Sequence, residues 1–239
     1  MLETRFIEDE PEKSIDIPFQ DTPKYLQQKE KLDAFWGGHT SCHTGYQLFH
    51  HRMVKLQRPV TIAQLGCGGA YELLELKAFL DKHTITAKLI GIDANAANIA
   101  FATKNFTGTD VNWIVGEYDD VKWLNGQKPD IIFSSLYCHN FTSEQLIYHL
   151  HWLKENSQTG FFISDLKRNK FAYGLFKLYA LFFVRNKILR KKTLDAIKNG
   201  FTKEEWKHLL NKAGIRRFKI KETFANRLLI YVKQDKDNL

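Results

Sequence analysis

Cysteine and proline are scarce in this chain of 239 residues, with three of the first and five of the second. Cys42, Cys67 and Cys138 are odd in number, far apart and without a C-x-x-C pair. They exclude a disulfide framework and a zinc site built on cysteine alone, and a reducing, cytoplasmic setting is expected. With only 14 Gly besides, neither a low-complexity linker nor a collagen-like chain fits. Long apolar runs are missing too: the longest, Phe171 to Val184, contains Lys177 and falls short of the ~20 residues that span a bilayer. The first ten residues are acidic where a secretory signal is basic and then apolar, so no export signal is expected. No Gly-Lys-Ser/Thr follows a glycine turn and no His-Glu-x-x-His occurs, while His50 and His51, being adjacent, point to different helix faces. No metal is assigned.

What is present is a core-former: 44% apolar and 13% aromatic residues, enough for one fair-sized domain or two small ones. The net charge of +8 is unevenly placed, with the excess of Lys and Arg concentrated between Asp165 and Thr223. Such a stretch suits nucleic acid or anionic lipid headgroups, and equally a solvated face.

The order of elements is more informative. Pro11 to Pro23 reads as a loose lead-in, and Thr22-Pro23 as a helix start running to Trp36, stopped by Gly37-Gly38. A second helix is expected from Thr44 to Leu56. Strand and helix patterns then alternate: strands at Val60–Leu65, Lys88–Ile92, Val111–Val115, Pro129–Ser134 and Gly160–Ser164, with helices at Ala70–Lys82, Ala94–Asn105 and Ser143–Glu155. Units of this length need parallel pairing through right-handed crossovers. A long apolar helix from Phe171 to Leu189 follows, then a capping box at Thr202 and Glu205, then two strand-like runs, Arg216–Lys221 and Arg227–Val232, expected as an antiparallel edge pair. The fold class is α/β, doubly wound and Rossmann-like, with a mostly parallel seven-stranded sheet. Residues 1–58 form an N-terminal helical lid, and 59–239 a core into which an apolar helix near 169–200 is inserted.

Between the first strand and its helix stands Gln64-Leu-Gly66-Cys67-Gly68-Gly69-Ala70, where small residues let a ligand approach the backbone and the helix N-terminus. A tight turn with no ligand is the alternative. Tyr71 occupies the place of the third glycine of a dinucleotide fingerprint, which disfavours a dehydrogenase. The second strand ends at Asp93, some 25 residues past the glycines, where a carboxylate can accept hydrogen bonds from both hydroxyls of a ribose; capping the helix that starts near Ala94 is its other use. Gly116-Glu117-Tyr118, after the third strand, places an acidic side chain beside the same crevice or forms an ordinary exposed turn.

Together these features resemble the class I S-adenosylmethionine (SAM)-dependent methyltransferases over residues 59 to 233. Ser135-Leu-Tyr-Cys-His139-Asn-Phe141, Ser164-Asp-Leu-Lys-Arg168 and Phe35-Trp-Gly-Gly-His39 are similar to segments of bacterial small-molecule methyltransferases of the polyketide and aromatic O-methylating kind. The resemblance implies SAM as cofactor, held by Gln64, Gly66, Cys67, Gly68, Asp93, Ala94, Glu117, Tyr118 and Ser135. Gln64 stands where that family has an acid, Ala70 where it has a third glycine, Asn140 where it has a second histidine, and Lys167 where a histidine is common.

A phenol or enol acceptor needs a base, and His139, just past the fourth strand, is the first candidate; a packing role is the alternative. His39 and His43, in the loop between the first two helices, belong to a lid or stand in solvent. Lys167 and Arg168 are candidate partners for an acidic group on the substrate, unless Asp165 and Arg168 pair with each other. The Phe171 helix walls an apolar pocket, fills the core, or rests on a membrane surface. The expected function is methyl transfer from SAM to a small, partly apolar acceptor, at oxygen. Its rivals are a cofactor-binding or membrane-associated protein that has lost turnover, and a nucleic-acid methyltransferase. Against the latter, Ser134-Ser-Leu-Tyr137 lacks the Pro-Pro-aromatic stretch of enzymes acting on the amines of bases.

Overall fold

A computed structural model describes residues 22–36, 39–106, 110–123 and 126–234. The lead-in from Pro11 and the Gly37-Gly38 stop lie outside the described residues, except for Thr22 and Pro23, which open the first helix. The elements are α1 (Thr22–Phe35), α2 (His39–Lys55), β1 (Val60–Leu65), α3 (Tyr71–Lys82), β2 (Ala87–Asp93), α4 (Ala96–Asn105), β3 (Val111–Val115), β4 (Ile131–Ser135), α5 (Ser143–Asn156), β5 (Gly160–Leu166), α6 (Lys170–Phe183), α7 (Lys187–Asn199), α8 (Lys203–Lys212), β6 (Lys219–Thr223) and β7 (Arg227–Lys233).

Alternating burial explains the layers. In β1, Val60 and Ile62 point into one core with α2, α3 and α4, while Ala63 and Leu65 point into the other with α5 and α8. Phe162 of β5 likewise joins the first core, and Phe161 and Ile163 the second. A sheet buried on both faces by β-branched and aromatic residues is the parallel kind. The seven strands run in the order β3-β2-β1-β4-β5-β7-β6, all parallel except β7, which enters antiparallel between β5 and β6. The strand order reverses between β1 and β4, so a crevice opens at their carboxyl ends. The capping box at Thr202 and Glu205 starts α8 as the spacing predicts.

Two expectations need correction. The apolar stretch from Phe171 is two helices, because Asn186 breaks it: its Oδ1 accepts from Leu189 N at 3.1 Å as the N-cap of α7, and its Nδ2 donates to Gln28 of α1 at 2.8 Å. His39 and His43 are not in a loop but in α2, which begins five residues earlier than its apolar spacing indicates. That helix lies on the sheet, with Tyr46 and Phe49 packed on Phe162. Helix α1 instead packs with α6 and α7 in a third apolar cluster, through Tyr25, Leu32 and Trp36 against Phe176, Ala180 and Leu189.

Candidate active site

The turn after β1 is shaped by backbone that only small residues tolerate. Gly66 has φ +62°, and a Cβ there would come within 2.3 Å of the Tyr137 ring. Gly68 has φ +53°, yet the space where its Cβ would stand is open, so the backbone is bare toward the cavity. Ala70, in the third glycine's place, is itself left-handed at φ +60°. The thiol of Cys67 is pushed well above its ordinary pKa by burial, which leaves it no nucleophile.

Asp93 ties the end of β2 to this turn. Its Oδ2 accepts from Gly68 N at 2.7 Å, and its Oδ1 from Asn95 N at 2.9 Å and Asn98 Nδ2 at 3.0 Å. The cap of α4 is Asn95, whose Oδ1 accepts from Ala97 N, so capping is not what Asp93 does. A carboxylate has about four acceptor positions, so acceptor capacity remains on the side that lines the crevice.

Charge of both signs gathers at one end of the crevice. Gln64 is buried behind its wall; Nε2 makes a long 3.5 Å contact to Glu72 Oε2, and Oε1 has no partner. Glu72, in the first turn of α3, lines the cavity where Gln64 does not. Opposite sits Lys29 of α1, 3.5 Å from Asp33. Burial works against its ammonium, but Asp33 and Glu72 outweigh it and hold the Lys29 pKa above its usual value. Arg227, buried on β7, reaches Asp33 at 3.4 Å, Ser135 Oγ at 3.2 Å and Ser164 Oγ at 3.4 Å. Lys29, Glu72 and Arg227 escaped the sequence reading. Glu72 alone left a signal there, an acid two residues past the glycine turn; Lys29 and Arg227 come to the site from elements remote in sequence.

His139 stands in a short turn after β4, with Asp165 of β5 behind it. Asp165 Oδ1 is 2.8 Å from His139 Nδ1, and Oδ2 accepts from His139 N at 3.0 Å. Burial favours the neutral acid, yet His139 and the N–H groups of Leu166 and His139 prevail and hold the Asp165 pKa below its ordinary value. An ionised carboxylate only accepts, so a proton lies on His139 Nδ1, and in the neutral ring Nε2 is the nitrogen that accepts. The alternative, an Asp165–Arg168 pair, does not form: Arg168 is instead bound to Glu205.

The other candidates divide. Gly66, Cys67, Gly68, Asp93, Ala94, Glu117, Ser135 and His139 all line one cavity. Tyr118 is buried behind it, edge-on to His149 at 4.4 Å. Lys167 points elsewhere and pairs with Glu222 at 3.0 Å. His39 is clasped between Glu30 (Nε2, 2.9 Å) and Glu75 (Nδ1, 3.0 Å), which raises its pKa to about 10. A histidine so held is a cation joining α1 to α3, and not a base at neutral pH.

The cavity measures about 1340 Å³ and is lined in part by α1, α6, α7 and the β6–β7 turn, opening to solvent beside Phe171 and Phe224. Trp36, Phe171, Leu175 and Phe176 give its lining apolar area, beside polar groups such as Asn169, Lys192 and Asp195.

No protein-family model matches the chain, and no curated protein matches it in sequence. Solved structures do match in fold. The plantazolicin methyltransferase BpumL, in complex with a triazolic desmethylPZN analog and SAH, is 16% identical with a TM-score of 0.64, over 91% of this chain and 98% of that one. Human N-acetylserotonin methyltransferase in complex with SAM is 16% identical with a TM-score of 0.62, over 90% of this chain and 57% of that one. A SAM-dependent methyltransferase from Aquifex aeolicus is 19% identical with a TM-score of 0.52, over 72% and 80% of the two chains. At these identities the likeness is one of fold, and the chain has the Rossmann-like, seven-stranded methyltransferase fold.

Proposed function

We propose that the protein transfers a methyl group from SAM to a hydroxyl of a small, partly apolar acceptor. The observation that carries this reading is one cavity with a ribose-type carboxylate, Asp93, beside the bare backbone of Gly68, and a His139–Asp165 pair in the same wall. The residues fit the cofactor. Asp93 has about one acceptor position left for a sugar hydroxyl, Glu117 lines the same cavity, and Lys29 with Glu72 offers opposite charges to the two ends of an amino acid. Solved proteins of the same fold carry SAM or SAH, which supports the choice.

When bound, SAM supplies an electrophilic methyl group. The chain's own task is to hold the acceptor in line and to take its proton. Asp165 fixes the ring of His139 and its tautomer, so that Nε2 is ready to accept a proton from a phenol or enol. Trp36, Phe171, Leu175 and Phe176 offer apolar surface to the acceptor's apolar part.

The test is calorimetric titration with SAM, followed by transfer of labelled methyl from SAM to a panel of hydroxylated aromatics, for the parent and for Asp165→Asn and His139→Gln. Micromolar binding and turnover are expected for the parent. Both variants should bind SAM within about threefold of the parent and lose about 100-fold or more in kcat. A parent that does not bind SAM refutes the reading, and variants that turn over at the parent's rate remove the base.

A further inference from the structure

Helix α6 keeps only Phe176 and Ala180 inside. On its outer side Phe171, Leu175, Leu178, Leu181, Phe182 and Phe183 are exposed, the last two at 70% each. Counted from Phe171 the first five recur at i, i+4, i+7, i+10 and i+11, which makes one continuous stripe centred on Leu178. Helix α1 widens it: Phe35, 67% exposed, stacks on Tyr179 at 5.4 Å, and Tyr179 on Phe183 at 4.9 Å. So much contiguous apolar surface marks a contact site.

Charge decides what touches it. Between Leu166 and Leu194 there is no Asp or Glu. Lys170 and Lys177, both exposed, edge one flank of the stripe, and Arg185 and Lys187 are exposed just past its end. Along α6 the apolar face is flanked by cations, which complements the boundary between acyl chains and anionic headgroups, whereas pairing α6 with α6 of a second copy would bring like charges together. No helix among the described residues is long and apolar enough to cross a membrane, so the contact is one of lying along it.

The stripe is also continuous with the site. Phe171 and Leu175 belong both to the exposed face and to the cavity wall, and Phe224 of the β6–β7 turn, 68% exposed, lines the same cavity. We propose that α6 rests on an anionic membrane surface, and that the cavity draws from that surface an amphiphilic acceptor with a hydroxylated head and an alkyl tail. The acceptor half rests on the methyl-transfer reading; the membrane contact does not.

Sedimentation of the full chain with phosphatidylglycerol–phosphatidylcholine vesicles tests the contact. Binding is expected to be at least tenfold tighter than to phosphatidylcholine alone and to weaken in 0.5 M salt. Leu178→Glu and Phe182→Glu, both outside the cavity wall, should weaken vesicle binding at least tenfold while melting temperature and SAM affinity stay at parent values. Absence of binding to anionic vesicles, or unchanged binding by the variants, overturns the contact. So does a parent that sediments as a dimer and becomes a monomer on Phe182→Glu. For the acceptor half, a long-chain alkylphenol held in vesicles should show at least tenfold higher kcat/KM than its short-chain homologue. Turnover of neither, or the reverse order, overturns that half. Vesicle binding without SAM binding would leave the surface standing and remove the methyl-transfer reading.

Discussion

Asp93→Asn separates two roles of one carboxylate. The change is nearly isosteric, so packing is preserved, but one acceptor oxygen becomes an NH2 group facing an N–H donor. In the folded protein that carboxylate holds Gly68 N, Asn95 N and Asn98 Nδ2 at 2.7, 2.9 and 3.0 Å. Leaving one buried donor without a partner costs about 1–3 kcal/mol. The contacts that survive fall from charge-assisted to neutral, roughly halving their strength. A loss of about 2–4 kcal/mol of stability is expected, which for a chain of this size is a drop on the order of 4–16 °C in Tm. Binding of SAM loses in addition a charged acceptor for a sugar hydroxyl, about 1.5–3 kcal/mol, so Kd should rise roughly 10- to 150-fold. The assays are calorimetric melting and titration with SAM at temperatures where both proteins are folded. A variant that melts lower but binds SAM as the parent does would leave Asp93 a turn brace and no ligand. One that melts and binds as the parent does would refute both roles.

Three further outcomes follow from the same geometry. His149 is fully buried among Tyr118, Tyr137 and Phe141, and burial lowers its pKa to about 3. With a depressed pKa its contribution is present above the unfolded value near 6.5 and is lost as pH falls from there toward 3. Between pH 7 and 5 the parent should therefore lose about 2 kcal/mol more stability than His149→Phe, by chemical denaturation; equal losses would show that His149 protonates without opening the core. His39 has the opposite sign: its pKa is raised to about 10 by Glu30 and Glu75, so its stabilisation is complete below about 6.5 and fades as pH rises through 10. His39→Ala should cost about 1–3 kcal/mol at pH 7, and the gap to the parent should close by pH 10.5. Finally, Gln64→Glu sets a second carboxylate against Glu72 and should destabilise by about 1–3 kcal/mol without tightening SAM, while Glu72→Gln should weaken SAM at least tenfold. Tighter binding by Gln64→Glu would show that position 64, not Glu72, is where the acid belongs.

Local patterns carried far in this chain because they depend on near neighbours. The β-branched runs gave the five parallel strands, and the Thr202–Glu205 spacing gave its capping box, since both are fixed by backbone geometry over a few residues. The glycine turn and the carboxylate of Asp93 were equally legible, because left-handed backbone and the end of a strand leave marks in composition. Boundaries set by a single competing side chain were not: Asn186 divides an apolar stretch whose periodicity says one helix. Nor were contacts between elements, such as the ion pairs of His39 with α1 and α3.

The order of elements, the doubly wound class and the crevice at the reversal of strand order were all readable from residue pattern. These follow from hydrophobic periodicity and from the handedness of crossovers. Only the tertiary structure decided which charges meet. Asp165 turned to His139 rather than to Arg168 three residues away, Glu72 came beside Gln64, and Arg227 reached Asp33 across most of the chain's length. A charge pair forms where packing brings two groups out of water together, and sequence distance does not encode that meeting. The same holds for α6, whose composition announced an apolar helix but whose fold alone settled which side faces out.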